Sequence, residues 1–164
     1  MITLVIGGTR SGKSEVAERI ASDLGSSVTV IAPGSASDPD MAARIAAHRA
    51  RRPAEWSTIE CGAELIDGLT GLTGVVIIDS LGSWVAATED FKVDADRLLR
   101  VLMERGDANI VVTEEVGLAV HPPTEAGRAF TDALGALNTT LASVADEAIL
   151  VIAGRTMRLD PPAG

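Results

Sequence analysis

Cysteine, tyrosine and lysine are nearly missing from this chain of 164 residues, which holds one Cys, no Tyr and two Lys. A single thiol, Cys61, excludes a disulfide framework and fits a reducing compartment. With one Cys and only two well-separated histidines, His48 and His121, a structural zinc site is excluded too. Aromatic residues make up 2% of the chain, too few for a platform on which single-stranded nucleic acid could stack. Basic residues number 14 against 23 acidic ones, for a net charge of −9. Such a balance argues against nucleic acid or an anionic membrane as a partner. No apolar run approaches the length of a membrane span. The start, MITLVIGGTR, has no basic leader and reaches Gly too soon for a secretory signal, so a cytoplasmic location is expected.

What is present describes a globule. Apolar residues are 46% and charged residues 23%, and a single domain over 1–164 is expected from length. A chain this long buries enough apolar surface to need no disulfide or metal staple. Short apolar runs at 3–6, 28–31, 75–78, 110–112 and 148–152 lack polar alternation, which suits strands covered on both faces. Helical patterns separate them: 14–24; 38–51, opened by Asp38-Pro39; 95–105, stopping at Gly106; and 125–144. The end, AILVIAG followed by RTMRL, reads as two strands about a tight turn. These features predict an α/β domain with a mostly parallel sheet and an antiparallel C-terminal strand.

Residues 7–14 read Gly7-Gly8-Thr9-Arg10-Ser11-Gly12-Lys13-Ser14, the pattern G-x-x-x-x-G-K-[ST] between an apolar strand and an amphipathic helix. Gly7 and Gly12 allow backbone angles and a close approach that a side chain would block. The loop then aims successive N–H groups inward, and the helix adds its positive end, so phosphate is favoured twice. Lys13 supplies a point charge to β- and γ-phosphates, and the Ser14 hydroxyl is a ligand for Mg²⁺. Lysine suits this position because a slim ammonium fits where a planar guanidinium does not. A second apolar run ends in Asp79, which can deliver a carboxylate to the Mg²⁺ or its water shell, or serve simply as a helix cap. Glu114 and Glu115 follow the next strand, at the ligand edge of a parallel sheet, with Glu115 a weaker candidate for the metal; a solvated loop pair is the plainer alternative.

One more segment carries chemistry. In MAARIAAHRARRP, Arg44, His48 and Arg51 share a helical face, and four of the twelve arginines fall within nine residues. A solvated helix surface accounts for this. So does a second anion site in which a neutral His48 imidazole attacks phosphorus while the arginines offset charge in the transition state.

Several segments together resemble one family: GGTRSGKS; the run Arg44-Ile45, His48, Arg52-Pro53, Trp56, Thr58, Glu60; the strand ending in Asp79; VVTEEVG; and the segment from FTDALGALN to VIAG. The family is that of the bifunctional adenosylcobinamide kinase / adenosylcobinamide-phosphate guanylyltransferase of cobalamin biosynthesis, and the match runs over nearly the whole chain in the family's order. The resemblance implies a three-layer, RecA-like phosphate-loop fold, a homotrimer, ATP and GTP as substrates, and a corrinoid as acceptor. It implies that Lys13 and the loop serve a kinase step, and that His48 becomes guanylylated by GTP. Glu60 and Asp79 would contact the guanine nucleotide, with Ala32, Pro33, Gly34, Arg49, Arg51 and Arg52 lining the same pocket. Two positions depart from the family pattern: Glu114 stands where Asn is common in T-N-E-V-G, and Ala86-Ala87 where an Asn follows the tryptophan segment. The remaining readings are another phosphate-loop small-molecule kinase and a GTP-binding module without turnover.

Overall fold

A computed structural model describes residues 1–25, 27–34, 46, 47 and 49–162. Seven strands, β1 (Ile2–Gly7), β2 (Val28–Ala32), β3 (Ser57–Glu60), β4 (Val75–Asp79), β5 (Asn109–Glu114), β6 (Glu147–Ile152) and β7 (Arg155–Leu159), form one sheet in the order β3-β2-β4-β5-β1-β6-β7. All neighbours are parallel except β6 and β7, the antiparallel closing pair. Helices α1 (Lys13–Leu24), α2 (Leu65–Leu69), α3 (Leu81–Ala87), α4 (Ala95–Glu104) and α5 (Glu125–Ala142) cover it.

The unalternated apolar runs have their reason in the two faces. Leu4, Ile31, Ile78 and Val111 pack with Leu65, Leu81, Trp84, Leu98, Leu102 and the α5 stripe Leu134, Leu137 and Leu141. Val5, Val30, Ile77 and Val112, their neighbours along the strands, pack on the other side with Val16, Ala17 and Ala21 of α1. Each central strand therefore has no solvent face on which a polar residue could alternate. Strand β3 escapes that rule and the run-based reading. It pairs only with β2, at the sheet's edge, and its residues STIE are exposed to half-buried.

Helix ends follow local chemistry. Ser80, Asp94 and Thr124 accept from the N–H groups of Ser83, Arg97 and Gly127, capping α3, α4 and α5. Gly12, ahead of α1, offers no side-chain cap, so the first turn of that helix keeps its N–H donors for the loop. Helix α4 ends at Glu104, and the next residue, Arg105, is extended. The Arg105 guanidinium fastens this corner, donating to Gly74 O (2.9 Å), Leu72 O and Asn109 Oδ1 (2.7 Å). Its burial lowers its pKa, against the opposing charge of Asp107. Of the expected helix over 38–51, Ala46, Ala47 and 49–51 are helical; residues 38–45 and His48 lie outside the described residues.

The register places the site. Gly7 of β1 lies opposite Glu114 of β5, and Asp79 of β4 opposite Val112. The C-terminal ends of three adjacent central strands thus meet at one edge, beside the start of α1, where ligands bind in open α/β sheets.

Candidate active site

The loop between β1 and α1 is packed without slack. A Cβ on Gly7 would overlap Ser11 Oγ and come within 2.7 Å of Val151 O. Gly8, Thr9 and Arg10 are exposed, Arg10 with a left-handed φ of 57°, while Ser11 and Lys13 are buried. Lys13 Nζ donates to Gly8 O (3.3 Å) and pairs with Glu114 Oε1 (3.4 Å). Among the described residues, Ser11 Oγ is the buried side-chain polar atom without a partner. A loop that carries an orphan donor, a buried ammonium and an uncapped helix start fits an anionic ligand.

Asp79 joins two parts of the chain. Its Oδ1 accepts from Ser14 Oγ at 3.1 Å, and its Oδ2 faces Arg52 Nη2 at 3.4 Å. Arg52 also donates through Nε to Glu18 Oε1 at 3.1 Å, and its side chain is only 8% exposed. Ser14 and Asp79 offer a hydroxyl and a carboxylate within reach of each other. These are hard oxygen donors of the kind that hold Mg²⁺ when phosphates and water complete its shell. No group of three or more His, Cys, Asp or Glu among the described residues could hold a metal alone.

The arginines next to His48 are ion-paired. Arg49 meets Glu60 at 3.1 Å, and Arg51 meets Glu15 and Glu18 at 3.5 Å each. Glu18 was not among the expected site residues, although it lies one helical turn after Ser14, on the same face. Arg49, Arg52, Pro53, Ala54, Trp56 and Thr58 line a cleft of about 340 Å³. Of the expected pocket residues 32–34, Ala32 closes β2, its carbonyl accepting from Cys61 N (3.3 Å), and Gly34 faces Ser83.

Ser80 and Gly82 are further residues that the sequence did not single out. Glu114 accepts from Ser80 Oγ (2.9 and 3.1 Å) and from Gly82 N (3.0 Å). Glu115 caps its own turn, accepting from Gly117 N (2.7 Å) and Leu118 N (3.0 Å). Thr113 and Glu114 O are tied to Asn138 of α5, by 2.6 and 2.9 Å bonds. Trp84 is buried, its indole donating to Ala63 O.

A parallel sheet with the loop strand β1 separated from the Asp79 strand β4 by β5, and a glycine-rich loop opening a helix, defines a RecA-like phosphate-loop NTPase fold. A solved ATPase from the type III secretion system of pathogenic bacteria shares the fold, with a TM-score of 0.58 and 13% identity over 91% of this chain; the chain spans half the length of that one. The model of the cobinamide kinase / cobinamide phosphate guanyltransferase family matches residues 3–159. The chain belongs to that family. It is 36% identical to the bifunctional adenosylcobalamin biosynthesis protein CobP of Pseudomonas aeruginosa over 97% of both chains. It is 35% identical to CobU of Salmonella typhimurium over 94% of this chain and 97% of that one. No helix among the described residues is long and apolar enough to cross a membrane.

Proposed function

We propose that this protein catalyses two successive transfers to a corrinoid. In the first, the γ-phosphoryl group of a nucleoside triphosphate passes to the hydroxyl of adenosylcobinamide. The hydroxyl oxygen bonds to phosphorus and loses its proton to water, the bridging P–O bond breaks, and the nucleoside diphosphate leaves. In the second, a nitrogen of His48 attacks the α-phosphorus of GTP and pyrophosphate leaves. The phosphate of the first product then displaces the histidine to give adenosylcobinamide-GDP. A covalent histidine intermediate divides one difficult displacement into two.

The observation that carries this reading is the meeting of both halves on one carboxylate: Ser14 of the phosphate loop and Arg52 of the histidine run contact the two oxygens of Asp79. Lys13 would hold β- and γ-phosphates. Ser14 and Asp79 would hold Mg²⁺, which supplies charge neutralisation at the phosphates, with Glu115 a weaker candidate for that ion. Glu60, Asp79, residues 32–34 and Arg49, Arg51 and Arg52 would line the guanine nucleotide's pocket. Arg49, Arg51 and Arg52 carry carboxylate partners, so they would reach phosphate by exchanging those partners. The catalytic unit spans the whole chain, acts as a cytoplasmic homotrimer, and takes ATP or GTP as phosphoryl donor. Its partner is a small corrinoid, not nucleic acid or membrane.

Incubation with α-labelled GTP and Mg²⁺, followed by denaturation, tests the second transfer. Acid-labile, base-stable label should appear on the protein and be absent from His48→Ala. An unlabelled wild type would overturn the transferase reading. Transfer of γ-label to adenosylcobinamide tests the kinase half separately.

A further inference from the structure

The lysine of the phosphate loop already has an anionic partner. Lys13 Nζ lies 3.4 Å from Glu114 Oε1, and the side chains are 11% and 28% exposed, so water screens the pair incompletely. The two ends of this pair differ in freedom. Glu114 is fixed: Ser80 Oγ donates to both of its oxygens, Gly82 N donates to Oε2, and a Cβ on Gly82 would overlap that oxygen. Lys13 is a flexible stem whose other contact is a single long bond to Gly8 O. Of the two, the ammonium is therefore the end that can turn to another anion, while the carboxylate is held in place.

We propose that Glu114 is an affinity-setting residue that competes with the nucleotide's phosphates for Lys13. The proposal rests on the phosphate loop being the nucleotide site, as argued above. The competition weakens binding of both tri- and diphosphate, and it gives Lys13 a partner to return to as the diphosphate departs. An enzyme that must shed a diphosphate before the next nucleotide gains turnover from such a competitor.

The test is nucleotide binding by calorimetry, with GDP and a non-hydrolysable GTP analogue, to wild type, Glu114→Gln and Glu114→Asn. Both variants should bind each ligand about fivefold more tightly, the upper end of what one such ion pair contributes. Stopped-flow release of GDP should slow correspondingly. In a Lys13→Ala background the same substitution should change affinity less than about twofold, because a coupling that runs through Lys13 disappears with it. Gln retains the shape and an acceptor for Gly82 N, and circular dichroism verifies that the variants fold. Folded variants that bind as the wild type does, or more weakly, would overturn the proposal. A wild type that binds neither ligand would instead overturn the placement of nucleotide at the loop.

Discussion

Arg52 and Asp79 face each other at 3.4 Å across the base of the site, and the Arg52 side chain is almost fully withdrawn from solvent. The arginine four positions after His48 is therefore anchored to the carboxylate that also holds Ser14. A buried charge stripped of its partner is costly. Arg52→Met preserves bulk but leaves Glu18 and Asp79 without that guanidinium. Because Glu18 keeps Arg51 and Asp79 keeps Ser14, the loss should fall at the lower end for a broken buried pair, about 3 kcal/mol. Arg52→Lys should recover part of it. Urea denaturation measures both, and a midpoint unchanged in Arg52→Met would refute the anchoring role.

Gly7 and Gly8 are neighbours with opposite tolerances. A Cβ on Gly7 meets backbone oxygen Val151 O at 2.7 Å, which cannot rotate out of the way, whereas a Cβ on Gly8 meets nothing within 4 Å. Gly7→Ala should cost about 1–3 kcal/mol by overpacking. Gly8→Ala should leave thermal stability within about 0.5 kcal/mol of wild type, as ordinary surface substitutions do. Equal melting shifts for the two would show that the loop relaxes freely.

Much of this site could be read from local order along the chain. The loop 7–14 is contiguous, so its pattern is visible in the sequence alone, and Asp79 is marked by the apolar run it terminates. The sheet's parallel core was legible because runs such as 75–78 lack polar alternation. Strand β3 was not, since an edge strand of four partly polar residues carries no such signature. The cluster of Ser80, Gly82 and Glu114 was also out of reach. It depends on β4 and β5 being neighbours, with contacts 32 to 34 residues apart, and strand order is a tertiary property. Glu114 was visible as a departure from a family pattern, but what it touches was not. Helix α4 ends at Glu104, one residue short of the expected Arg105, whose guanidinium bonds Leu72 O and Gly74 O, acceptors more than thirty residues away that no local pattern announces.

Lys13 occupies a buried, narrow place, and its single ammonium already satisfies two acceptors. Lys13→Arg preserves charge but brings a wide planar group that cannot take the same position. The kcat/KM for γ-label transfer to adenosylcobinamide should fall by at least about 100-fold, the size of effect seen when one transition-state donor is removed. Retention of more than about a tenth of the activity would mean that charge alone, without its placement, suffices.

Cys61, the only thiol, sits half-buried beside α2, and its pKa is raised above 9.0, first by burial and then by the nearby charge of Glu64. The folded state therefore holds its proton more tightly than the unfolded chain does. The resulting stability is fully present below the unfolded value and is lost as pH rises through the folded one, that is, at pH above 9.0. Two outcomes follow from that sign. Since the thiolate is the nucleophile, iodoacetamide should modify the native protein at least about tenfold more slowly than the urea-unfolded chain at mildly alkaline pH. The urea midpoint of wild type should also fall more steeply above pH 9.0 than that of Cys61→Ala, where every other titrating group is retained. Parallel slopes in the two proteins, with equal alkylation rates folded and unfolded, would place the thiol in water and remove Cys61 from the pH dependence of this fold.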